Sequence, residues 1–141
     1  MKALTASLLA ALLGCGTAAK HNESFPHPPG TFLITADQIQ RSGAHTAWQV
    51  LRQNAPMLLT EEDQNGRPSR LGRRGRASLM LNDAPMIVLD EARVPDFRAL
   101  DSIEAESIRT ILIYDGVEGT TYYGTDAVSG VIVIRTKDGH S

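Results

Sequence analysis

The run Gly130-Val131-Ile132-Val133-Ile134-Arg135-Thr136 constrains this chain most. Apolar residues fill nearly every position, so the pattern does not alternate as it would in a strand with one wet face. A strand apolar on both sides belongs in the middle of a sheet that is covered above and below. Ile108-Arg109-Thr110-Ile111-Leu112-Ile113-Tyr114 has the same character. Two shorter β-prone runs, Thr31–Ile34 and Met86–Leu89, and a third at Ser78–Leu81, supply neighbours. Asn82-Asp83-Ala84-Pro85 reads as the turn between the last two.

Helices are marked by their starts. Thr35-Ala36-Asp37-Gln38 and Thr46-Ala47-Trp48-Gln49 both have the form in which a threonine and a glutamine satisfy the first free amides of a helix. Gly43 ends the first helix, and Pro56 bars continuation of the second, whose apolar members are Trp48, Val50 and Leu51. These first-half helices are the natural covers of the sheet. The expectation is a small α/β (α+β) fold, a mixed β-sheet covered by short helices, over residues 31–137, with a short tail at 138–141. Residues 60–75, rich in Arg, Glu and Gly, read as loop because they can bury little.

The amino terminus carries an address. Lys2 precedes an apolar stretch from Ala3 to Leu13, too short for the roughly 20 residues that span a bilayer and fitting a secretory signal. Leu12-Leu13-Gly14-Cys15 looks like a bacterial lipobox. That resemblance implies a signal over residues 1–14, a lipidated Cys15, and a membrane partner held through the lipid. Gly16 after the cysteine implies the outer membrane in that signal family. Residues 15–30, with Pro26, Pro28 and Pro29, read as a tether that reaches on the order of 50 Å when extended. Cys15 is the chain's one cysteine, so no internal disulfide forms.

Several ordered segments between Thr31 and Lys137 resemble the plug domain of TonB-dependent outer-membrane receptors. They are Trp48 to Pro56, Arg74-Gly75, Pro85 to Asp90, Ile103 to Ile111 and, most specifically, Tyr123 to Lys137. In the last, Tyr123, Gly124, Ala127 and Gly130 hold the spacing that leads a tight turn into a central strand, and Asp90 closes the Met86 strand. Two positions depart from the family pattern: Glu91 and Met57 stand where glycine is usual. The Asn82 to Pro85 turn is an alternative place for the family's Asp-Gly turn. Only residues 138–141 follow, too few for a membrane barrel. The resemblance therefore implies a plug-like unit without a barrel of its own, acting as a binding or assembly module, or serving as an accessory plug for a separately encoded barrel.

Chemistry is sparse. His21, His27, His45 and His140 have no ligand spacing, so no metal is expected, and no cofactor motif is present. The acid pairs Asp90/Glu91, Glu104/Glu106 and Asp115/Glu118 read as solvated carboxylates without a nucleophile, and an enzyme is not expected. With a net charge of −2 no global field recruits nucleic acid, and the arginine run lacks aromatic interleaving, so no nucleic-acid partner is expected. Arg67, Arg70, Arg73, Arg74 and Arg76 form the one charged cluster. Guanidinium forks there could grip phosphate or carboxylate groups of a partner; a solvated loop balanced by Glu61, Glu62 and Asp63 is the competing reading. Tyr114, Tyr122 and Tyr123 with Phe97 read as core or edge packing, or as a recognition surface.

Overall fold

The computed structural model describes residues 29–75 and 84–139. In chain order the elements are β1 (Thr31–Thr35), α1 (Ala36–Ser42), α2 (Ala47–Asn54), β2 (Leu58–Glu62), β3 (Pro68–Arg73), β4 (Met86–Leu89), β5 (Ala92–Val94), β6 (Ile108–Tyr114), α3 (Gly116–Tyr123) and β7 (Val131–Thr136). Short 3-10 turns occupy Phe97–Ser102, Ala105–Ser107 and Thr125–Ala127. Five strands form a sheet in the order β1-β6-β7-β4-β5, and β2 with β3 forms a separate hairpin. The sheet is mixed because β7 runs antiparallel to β6 and parallel to β4. The expected α/β (α+β) architecture with β7 at its centre is therefore the observed one. The run Ser78–Leu81, the amino-terminal signal with Cys15, the tether up to residue 28, Arg76 and His140 lie outside the described residues.

Burial of β7 follows the two-sided apolar pattern. Ile132 and Ile134 face the larger core with Ile34, Ile39, Trp48, Leu51, Leu58 and Leu71, so α1, α2 and the β2–β3 hairpin cover that side. Val131 and Val133 face the opposite side with Val88 and Ala127. The first-half helices thus cover only one face; the other is covered by the chain between β6 and β7, where α3 and a 3-10 turn stand. In β6 the register shifts between Ile108 and Thr110, which brings Ile108 onto the same face as Ile111 and Ile113.

Both helix starts form. Thr35 accepts from the Gln38 amide, and Gln38 Oε1 accepts from the Thr35 amide at 2.9 Å. Thr46 caps α2 in the same way, but Gln49 Oε1 reaches back one residue further, to the His45 amide. Gly43 and Ala55 terminate the two helices.

The expectation of loop over residues 60–75 fails. Asp63 accepts amide hydrogens from Asn65 and Arg67 at 2.8 and 2.9 Å, and Gly66 takes the positive φ (76°) that the turn requires. That turn lets β2 and β3 pair, with Leu58 and Leu71 buried inward and Glu61 and Arg70 outward. The apolar content is small, but it falls where it anchors both strands.

Candidate functional site

The hairpin carries the arginines, and its geometry sends them in different directions. Arg70 points outward beside Glu61, 3.5 Å away in an exposed ion pair. Arg67 is exposed in the turn, where its amide donates to Asp63. Arg74 donates from Nε to the Leu58 carbonyl at 3.1 Å, tying the strand ends together. Arg73 turns toward the main sheet: its Nη1 lies 3.4 Å from where a Cβ on Gly130 would stand. The described arginines do not converge as a single chelating cluster. Arg67 and Arg70 share the outer surface, whereas Arg73 and Arg74 are engaged with the fold.

Glu62 joins the hairpin to α2. Its carboxylate accepts the indole N–H of fully buried Trp48 at 2.9 Å and pairs with Arg52. The sequence reading missed this contact. A signal for it existed: Trp48 and Arg52 stand four apart on one helix face, and a buried indole N–H needs an acceptor.

The turn between β4 and β5 consists of Asp90 and Glu91, with φ of 43° and 72°. Both central residues at positive φ make this the tight two-residue turn that normally favours glycine second. The Asp90 carboxylate accepts from the Thr136 amide at 2.8 Å and the Thr136 hydroxyl at 2.6 Å, while the Asp90 amide donates to the Ile134 carbonyl. Those bonds, the hydroxyl's first, hold the Asp90 carboxyl below the usual range. The turn that joins β4 to β5 is therefore the Asp90-Glu91 pair.

Gly124 ends α3, and Ala127 is fully buried against the sheet. Gly130 has φ 95°, and a Cβ there would lie 2.6 Å from the Tyr114 carbonyl. The Gly130 carbonyl accepts from the Met86 amide at 2.9 Å, so this glycine sets where β4 meets β7. Tyr123 packs 6.1 Å from Tyr114, and Tyr122 lies 5.7 Å from it on the other contact. Burial, then the neighbouring Tyr114, raises the Tyr123 phenol above its ordinary value. Phe97 does not join them; it packs on Trp48 in the opposite core layer, with Arg98 over its ring.

The reading of Asp115 and Glu118 as merely solvated carboxylates is corrected. Asp115 caps α3 by accepting from the Val117 and Glu118 amides at 2.8 and 3.1 Å. The neighbouring carboxyls shift in opposite directions, Asp115 below and Glu118 above its ordinary value, and Glu118 Oε2 is buried without a hydrogen-bond partner. Their outer oxygens crowd Gly30, where a Cβ would stand 2.6 and 2.7 Å from them. Arg73 adds a favourable charge to Asp115. Asp115 thus ties the start of α3 to the chain entering β1, its carboxylate on the helix amides and its own amide on the Gly30 carbonyl at 3.3 Å. Among the described residues, no three His, Cys, Asp or Glu side chains gather as a metal site.

This arrangement has known counterparts. The TonB-dependent receptor plug domain family matches residues 28–131. No curated protein matches the chain. Among solved structures, a mutant ferric enterobactin receptor (PfeA) from Pseudomonas aeruginosa in complex with enterobactin aligns at 24% identity and a TM-score of 0.58, covering 79% of this chain and 18% of the receptor. The siderophore receptor PirA from Acinetobacter baumannii aligns at 21% identity and 0.58, covering 78% and 17%. The RagAB peptide importer aligns at 18% identity and 0.59, covering 76% and 12%. The likeness to these structures is one of fold, and this chain spans less than a fifth of each receptor chain. The family match extends over most of the sequence, from the turn before β1 to the first residue of β7, and on that ground the chain belongs to the TonB-dependent receptor plug domain family.

Proposed function

We propose that this plug domain is a non-catalytic binding and assembly module at the periplasmic face of the outer membrane, held there by lipid on Cys15. Family membership is the observation that carries the reading, because plug domains of this kind sit in outer-membrane receptors and give the chain a transport-related setting. The outer face of the β2–β3 hairpin supports a polar role: Arg67 and Arg70 are exposed and can meet phosphate or carboxylate groups. Arg73 and Arg74, engaged with the Gly130 turn and the Leu58 carbonyl, stand apart from that contact. Asp90, Tyr123, Gly124, Ala127 and Gly130 are assigned the structural task of shaping the plug. A second reading, favoured by the likeness to receptor plugs, is that the domain seats in a separately encoded outer-membrane barrel and regulates it.

Fractionation of cells expressing the full chain tests the anchor, and co-purification from detergent-solubilised membranes separates the two readings. Wild type is expected in the outer-membrane fraction and Cys15→Ser in the soluble fraction. Equal membrane retention of both would reject the anchor. A stoichiometric barrel protein in the purified complex selects the accessory-plug reading; its absence favours the self-sufficient module.

A further inference from the structure

The five-stranded sheet has two edges of different kinds. At one edge β5 is only three residues long, carries Arg93 and runs into Pro95. Short length, charge and a neighbouring proline are ordinary ways to discourage strand pairing. At the other edge β1 reads Thr-Phe-Leu-Ile-Thr, with no charge and no proline, and pairs with β6 in unbroken register along its whole length. Within the strand none of these protections is present; the nearest proline, Pro29, lies two residues before it.

The ladder shows which groups that edge offers. The Asp115 amide donates to the Gly30 carbonyl at 3.3 Å, so Gly30 and Asp115 are a hydrogen-bonded pair. Alternation along an antiparallel ladder then directs Phe32 and Ile34 toward Ile113 and Ile111, and turns the N–H and C=O of Thr31 and Leu33 away from β6. Thr35 has the same outward parity, and its N–H is already taken by Gln38 Oε1. Among the described residues, no strand pairs on that side of β1.

We propose that β1 pairs antiparallel with β1 of a second copy of this chain, about a two-fold axis at Phe32, joining the two sheets into one. In this register Thr31 of each copy opposes Leu33 of the other, and every outward donor meets an outward acceptor. One step beyond, Thr35 opposes Pro29. The Thr35 N–H is engaged and a proline has none, so the pairing stops where the free donors stop. Phe32 meets its own copy as a non-hydrogen-bonded pair, the closer kind, on the face that carries the main core. No like charges oppose each other. Edge pairing over so few residues falls below the roughly 1,200 Å² of a standard stable interface, so the dimer is weak and concentration-dependent.

The full chain with Cys15→Ser has no cysteine, which allows single cysteines to report the register. Phe32→Cys is expected to form disulfide-linked dimers under copper–phenanthroline about tenfold faster than Thr31→Cys or Leu33→Cys, since only residue 32 faces itself across the axis. Equal rates at the three positions would overturn the proposal. Sedimentation from micromolar to millimolar protein is expected to show a rising dimer fraction, and a monomer throughout would overturn it too. Leu33→Pro removes an N–H that β6 does not use and is expected to abolish the dimer with little change in melting; a persisting dimer contradicts the pairing. The cysteine comparison decides whether or not the proline variant folds.

Discussion

Hairpin β2–β3 and hairpin β4–β5 each use an aspartate at the turn, but in opposite ways. Asp63 bonds the amides of its own turn, and Gly66 supplies the positive φ. The first turn is thus self-sufficient, and its strands are held to the body by Leu58, Leu71 and Glu62. Asp90 instead reaches across to Thr136 at the end of β7, and no glycine relieves the turn. No residue of β5 is buried. The second hairpin is held through β4, whose Ile87 and Val88 are buried and which pairs with β7, while its turn rests on the Asp90 carboxylate and β5 adds only the half-buried Val94 and an exposed Arg93–Asp126 ion pair. One turn is specified locally; the other depends on the completed sheet.

The comparison is broken most strongly at Glu62. Glu62→Ala leaves the Trp48 indole N–H buried without its acceptor and removes the partner of Arg52. A loss of about 2 kcal/mol is expected in urea unfolding, because a buried donor without a partner costs more than an average hydrogen bond contributes. A loss no larger than that of an ordinary surface substitution would mean that the core leucines alone hold the first hairpin.

A smaller effect is expected at Asp90. Asp90→Asn weakens the bonds to Thr136, and given the exposure of the carboxylate the loss is about 1 kcal/mol at neutral pH. The sign of its pH dependence is fixed by the lowered folded pKa. The stabilisation is fully present above the ordinary value of 3.8 and disappears as pH falls through the lower folded value. The stability difference between wild type and Asp90→Asn should therefore be flat near neutrality and close under acid. A difference that persists unchanged in acid would assign the effect to turn geometry instead of charge.

The two hairpins also separate what could be read from the sequence from what could not. β4, β6, β7 and the starts of α1 and α2 were legible because the information is local: continuous apolar runs and threonine caps. β2 and β3 were not, since their charged outer face dominates the composition while only Leu58 and Leu71 reveal the inner one. α3 escaped for a related reason. Gly116, Gly119, Thr120 and Thr121 have low helix propensity, and the helix stands on the Asp115 cap and a close approach at Gly119, where a Cβ would meet the Ala127 carbonyl at 2.9 Å. The arginines were visible as a run, but their divergence depends on which partners the folded sheet brings near: Glu61, Leu58 or the Gly130 turn.

Glu91 offers the finest test of the contrast. At φ 72° it occupies the left-handed region where a side chain is unfavourable, and it does so at the second position of a two-residue turn. Glu91→Gly removes that strain but also frees the unfolded chain, so the two effects partly offset and a net gain of about 0.5 kcal/mol is expected. A rise of a few degrees in melting temperature would show that β4, locked to β7, forces the turn on an unsuited residue. An unchanged or lower melting temperature would mean that the tertiary bonds of Asp90 already relieve the turn. The corresponding change in the first hairpin, Gly66→Ala, has no such reserve, because there the glycine itself carries the turn.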